Sequence, residues 1–165
     1  MGASGWTYFV PYQSDIPKAL NGLREQVFQS GKYYQREAFW QEMNEDDYSH
    51  EDEDIREDSI NWLRRMKAMK EPTKIEELIL WNEEEGTHSI IDITEISPTP
   101  EFGKAAPLDA QQLMNLFSTE NPSRSMVEQK VNEIAQLREG WEATYIIVYE
   151  NGLPDLIFFT GYTGD

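Results

Sequence analysis

Cysteine is absent from this sequence, which excludes a disulfide scaffold, a thiol nucleophile and any zinc site built on sulfur. Histidine is scarce. His50 and His88 are the only two, and neither belongs to an HExxH or other paired-histidine spacing, so zinc has no visible ligand set. No G-x-S-x-G is present, and Ser4, Ser89 and Ser97 have no histidine to work with other than His88. Glycine-rich phosphate loops are missing too, so no nucleotide or other cofactor is expected. The longest apolar runs, TYIIV and LIFF, are strand-sized and fall far short of the roughly 20 residues that cross a bilayer. MGASGWTYFVPYQSD has no basic region followed by an apolar core, so no signal peptide is expected and the chain reads as soluble and cytoplasmic. Basic residues are few, 14 Lys and Arg against 31 Asp and Glu, for a net charge of −17. Such a surface repels nucleic acid and anionic membranes and is open to a basic protein or another cation.

What is present points to a folded globule. Apolar residues make up 39% and aromatic residues 12% of 165, enough for a core and of a length that suits one domain over 1–165. WTYFVPY has strand composition. Ser14 or Asp15 then caps a helix with Pro17 in its first turn, Leu20, Leu23 and Val27 on one face and Gly31 after its end. Ile55, Ser59, Trp62, Leu63, Met66 and Met69 recur at helical spacing, and Ile75, Leu78 and Ile79 mark a further helix. THSIIDITEI, residues 87–96, reads as a central strand, and SPTPEFGKAAP, residues 97–107, as a loop. Leu108 and Asp109 open a short helix, and NPSRSMVEQKVNEIAQLREG reads as one more. Asn151-Gly152 between TYIIVYE and LPDLIFF is a strong hairpin signal, because both residues tolerate positive φ. The order predicts an α+β fold, with helices packed on a mainly antiparallel sheet of about four strands and a β-hairpin at its C-terminal end.

The sharpest local feature is NEDDYSHEDEDIRED, residues 44–58, and residues 41–58 hold ten acids against Arg56 alone. An EF-hand-type loop counted from Asp47 would need glycine at Asp52 and glutamate at Asp58, so no metal site is expected. Ser49 with Asp52 resembles a capping box. Acids from Glu51 to Asp54 followed by Arg64, Arg65, Lys67 and Lys70 suit a helix dipole, acid first and base last. His88 follows EEEG, which puts an imidazole near three carboxylates. A general base and a surface histidine at a strand end are both open readings, the second the plainer. Tyr33, Tyr34, Phe39 and Trp40 suit a partner- or ligand-binding groove or ordinary core.

WTYFVPYQ, GTHSIIDI and the closing DLIFFTGYTGD resemble segments of a small bacterial protein family of no established activity. The likeness covers about a third of the chain, carries over no functional residue and implies a bacterial cytosolic setting. The expected function is a non-enzymatic protein-interaction domain that shows an acidic face to a basic partner, as an immunity-like neutraliser would. The alternatives are a hydrolase-type enzyme around His88 and a small-ligand sensor built on residues 33–40.

Overall fold

Asn151 and Gly152 take φ of 51° and 78°, the backbone that a tight turn between twisted strands requires. The hairpin they close lies at the centre of one sheet. The structure, a computed structural model, describes residues 4–34, 43–50, 52–68, 72–82 and 85–164. Strands β1 (Ser4–Pro11), β2 (Glu95–Ile96), β3 (Lys104–Pro107), β4 (Ala143–Glu150) and β5 (Leu153–Thr163) stand in the order β1-β5-β4-β3-β2. β5 is antiparallel to both its neighbours, β1 and β4, while β3 and β2 continue parallel to β4. Four strands therefore run one way and β5 alone runs against them. The α+β architecture is as expected, but the sheet is mixed and five-stranded rather than mainly antiparallel and four-stranded. The unexpected strand is β3, whose KAAP has little strand propensity. Ala105 and Ala106 are fully buried, and their place beside β4 makes them strand.

Six α-helices are present among the described residues: α1 (Ile16–Ser30), α2 (Glu53–Ala68), α3 (Ile75–Trp81), α4 (Ala110–Phe117), α5 (Arg124–Gln129) and α6 (Val131–Ala135). The Asp15 carboxylate caps α1 by accepting from the Lys18 N–H at 3.0 Å, and Gly31 ends it in the left-handed region. Alternation along the strands separates two cores. Ile157 and Phe159 of β5, with Ala143 of β4, pack against Leu20, Leu23 and Val27 of α1 and Ile75 and Leu78 of α3. Phe158 of β5 with Ile146 and Val148 of β4 turn the other way, onto Phe117, Val127 and Ile134 of α4, α5 and α6. Burial on both faces explains the uninterrupted LIFF. No helix among the described residues is long and apolar enough to cross a membrane.

Three local expectations are corrected. The central strand expected over 87–96 is instead a 3-10 turn, Ile90–Asp92, followed by the two-residue β2. Ser89 Oγ accepts from the Ile91 N–H and the Asp92 carboxylate from the Thr87 N–H, which folds the segment on itself. The helix expected from Ser49 starts at Glu53. Asn44 and Asp47 form a capping box on a separate 3-10 turn, Glu45–Tyr48, and Ser49 ends that turn. Within α2, Leu63 is buried and Ser59, Trp62 and Met66 are half-buried, but Ile55 of the expected stripe is exposed, and Met69 lies outside the described residues. Finally, the single helix expected over 121–140 breaks at Lys130 into α5 and α6, which brings Val127 and Ile134 onto the same sheet face.

Candidate functional site

Of the residues singled out by sequence, His88 is the best placed. It sits in the turn before Ile90 with φ of 53°, half-buried, rather than at the start of a strand. Its Nδ1 lies 2.8 Å from Ser4 Oγ, and its ring packs 4.8 Å from that of Tyr34. The Nε2 edge closes on Gly164, where a Cβ would come to 2.5 Å from that nitrogen. A serine–histidine–acid set needs a carboxylate on the far nitrogen, and among the described residues none is bonded there. Glu83 and Glu84, two of the three acids expected near His88, lie outside the described residues.

The aromatic candidates divide. Tyr33 stacks on Phe28 at 6.0 Å and belongs to the margin of the core, and the Tyr34 N–H donates to the Thr87 carbonyl at 2.8 Å. Both serve packing. Phe39 and Trp40 lie outside the described residues. In the acidic stretch, Glu45, Asp46, Asp47, Asp52, Glu53, Glu57 and Asp58 are all exposed. Only Glu45 among these has an ion-pair partner among the described residues, Arg64, with N–O distances of 2.7 and 2.8 Å. Arg64 holds the Glu45 carboxyl below the usual range, by hydrogen bond first and by charge second. No group of three metal-ligating side chains occurs among the described residues.

A second site lies at the same end of the sheet, and sequence did not point to it. The backbone ladder runs on past the strand starts. Thr94 donates to the Gly103 carbonyl at 2.8 Å, Gly103 to Trp141 at 2.7 Å, and Trp141 to Tyr162 at 2.7 Å. Gly86, Gly103 and Trp141 all take positive φ there, of 72°, 71° and 67°. For a residue as bulky as tryptophan that conformation is strained, at a cost of order 1–2 kcal/mol. Together these turns open a cleft of about 500 Å³. Trp141 and the exposed Phe102 form one wall, their rings stacked at 5.4 Å and 21°. Ile79, Asn82, Gly86, Asp92, Thr94 and Gly103 complete the lining. A Cβ on Gly86 would lie 2.6 Å from Trp141 Cη2 and 3.2 Å from Asp92 Oδ2. The indole rim and the carboxylate therefore bound one small volume, and only glycine leaves it open.

Asp92 is 9% exposed and is the one charged side chain buried among the described residues. Both its oxygens approach the Thr87 N–H, at 2.8 and 3.0 Å, and it makes no ion pair among the described residues. The nearby Arg24 guanidinium donates instead to the Ile91 carbonyl at 3.2 Å. Burial lowers the pKa of Arg24, and Glu76, Glu25 and Asp92 partly offset that. Burial likewise raises the pKa of Tyr8, with Asp92 adding to the rise. Asn82 is 2% exposed, and its Oδ1 has no hydrogen-bond partner among the described residues. The signals that point to this site are small: an aspartate inside a β-branched run, and two aromatic–glycine neighbours, Phe102-Gly103 and Gly140-Trp141.

No protein-family model matches the chain, and no curated protein and no solved structure matches it either.

Proposed function

We propose that the chain is a non-enzymatic interaction domain that presents an acidic face to a basic protein partner, an immunity-like neutraliser. The observation that carries this reading is the exposure of seven carboxylates between Glu45 and Asp58, of which Glu45 alone is paired among the described residues. Crowded like charges repel and weaken the folded chain on its own. A cationic partner relieves that repulsion and is steered to the surface by it. Ile55, 57% exposed in the middle of the acids, supplies an apolar anchor of the kind that interfaces bury.

Affinity capture from lysate at low and at high salt tests the proposal. A basic partner is expected at low salt and lost at high salt. Neutralising Asp46, Asp47, Glu57 and Asp58 to their amides is expected to slow association with it by about tenfold or more. If no salt-sensitive partner is captured, or if the amide variant binds like wild type, the proposal fails. The Ser4–His88 contact is the one observation that favours the hydrolase alternative, yet neither residue lines the cleft. His88→Ala is the test of that alternative in any activity screen.

A further inference from the structure

We propose that the cleft between Trp141 and Asp92 binds the guanidinium group of an organic cation. In this reading the Asp92 carboxylate is its counter-ion, the aromatic wall lies against its flat face, and Asn82 Oδ1 accepts one of its N–H groups. The inference goes beyond the acidic-face reading and does not depend on it.

Three observations converge. Asp92 is a buried carboxyl group that makes no ion pair among the described residues, the nearby Arg24 bonding to the Ile91 carbonyl instead, and a carboxylate taken out of water is costly unless paired. Its role in the loop, capping the Thr87 N–H, does not need the charge, since an asparagine oxygen accepts the same bond. Asn82 adds a second buried acceptor with no donor opposite it, and such orphaned groups are rare in folded proteins. Beside these acceptors stands an aromatic wall held open at the expense of a strained Trp141 backbone and an obligatory glycine at position 86.

The ligand class follows by exclusion and by fit. An anion meets Asp92 with no cationic side chain in the lining to receive it. A neutral apolar body leaves Asp92 and Asn82 unanswered. A bare metal ion makes no use of the aromatic wall and has only two oxygen-bearing side chains in the lining, Asp92 and Asn82, besides the Thr94 hydroxyl, short of the roughly six or more oxygens a hard cation takes. A guanidinium answers all of them, because it is flat, stacks on indole, carries five N–H donors and pairs with carboxylates. The volume suits a ligand the size of an arginine side chain with room at the rim.

The test uses the whole chain and three small probes: agmatine, N-acetyl-arginine amide and its neutral isostere N-acetyl-citrulline amide. Binding is followed by calorimetry and by NMR shifts of the Gly86 and Gly103 amides and the Trp141 indole N–H. Saturable binding of the guanidinium probes is expected, with shifts at those three groups and none with citrulline. Agmatine binding the tighter identifies a free small molecule, and the arginine amide binding the tighter identifies a side chain of a protein. Asp92→Asn is expected to lose about tenfold or more in affinity. Phe102→Ala alters a residue that is 73% exposed, so it leaves the fold intact even if Asp92→Asn does not, and it is expected to weaken binding several-fold. Equal binding of citrulline, wild-type affinity in either variant, or shifts spread over residues 44–58 in place of the cleft would each overturn the inference.

Discussion

Gly161→Ala adds a single methyl group to the most enclosed strand of the sheet, and the surroundings of that methyl fix its cost. Gly161 lies on β5 opposite Trp6 of β1 on one side and Ala143 of β4 on the other. A Cβ there would stand 2.8 Å from the Glu142 carbonyl oxygen, 2.8 Å from Trp6 Cζ2 and 3.0 Å from Trp6 Cη2. Neither neighbour yields easily. The carbonyl belongs to backbone leading into β4. The indole is held by its Nε1–H on Thr163 Oγ1 at 3.0 Å, and Thr163 is tied in turn to the Ser89 carbonyl at 3.3 Å. Overpacking of this kind costs about 1–3 kcal/mol, and two rigid contacts place it in the upper half of that range. For a chain of this size, 2–3 kcal/mol lowers the melting temperature by roughly 4–12 °C. Thermal and urea unfolding of Gly161→Ala read the cost directly, and Trp6→Phe supplies the control because it withdraws the far rim of the ring. In that background the penalty of Gly161→Ala should shrink by roughly 0.5 kcal/mol or more. A variant that melts with wild type, or a penalty that Trp6→Phe leaves unchanged, would refute the picture of an indole laid over a glycine.

Thr144→Val offers the opposite sign. Thr144 is fully buried and its Oγ1 has no hydrogen-bond partner among the described residues, so the isosteric valine is expected to stabilise by about 1 kcal/mol, roughly 2–4 °C in melting temperature; a lower melting temperature would show that the hydroxyl is satisfied. The Glu45–Arg64 pair sets a pH dependence. The folded pKa of Glu45 is depressed, so its contribution is present above the ordinary carboxylate pKa and is lost as pH falls through the depressed one. NMR titration should find Glu45 ionised to lower pH than an unpaired glutamate, and Arg64→Ala should return it to the usual range. If its titration is indifferent to Arg64, the pair has no hold on the 3-10 turn.

What was legible in the sequence was what is decided locally. Asp15, Pro17 and Gly31 are signals that act within one turn of α1, and Asn151-Gly152 acts within one hairpin, so both elements stand where their residues say. β3 and the Ile90–Asp92 turn depart from their local sequence signals for one reason. KAAP is strand because of β4 beside it, and SIIDI is not strand because Ser89 and Asp92 bond back to their own loop. β-branched composition marks burial as well as strand, and Ile90, Ile91 and Ile93 are fully buried without forming a ladder. The cleft depends on chain distance even more. Asp92, Phe102 and Trp141 meet because the starts of β2, β3 and β4 lie side by side, Asn82 joins them from the end of α3, and no spacing rule connects the four.

The charge of −17 is therefore not one property. The seven described carboxylates from Glu45 to Asp58, those of Glu45, Asp46, Asp47, Asp52, Glu53, Glu57 and Asp58, stand in water, where each interaction is weak, long-ranged and screened within about 8 Å at physiological salt. They suit recognition by sign and number rather than by shape. Asp92 stands behind an aromatic wall, where water screens less and a misplaced cation gains little. It suits recognition of one group in one orientation. Salt separates the two: ionic strength that strips a basic partner from the acidic face should leave a guanidinium in the cleft, because only the first attraction passes through solvent.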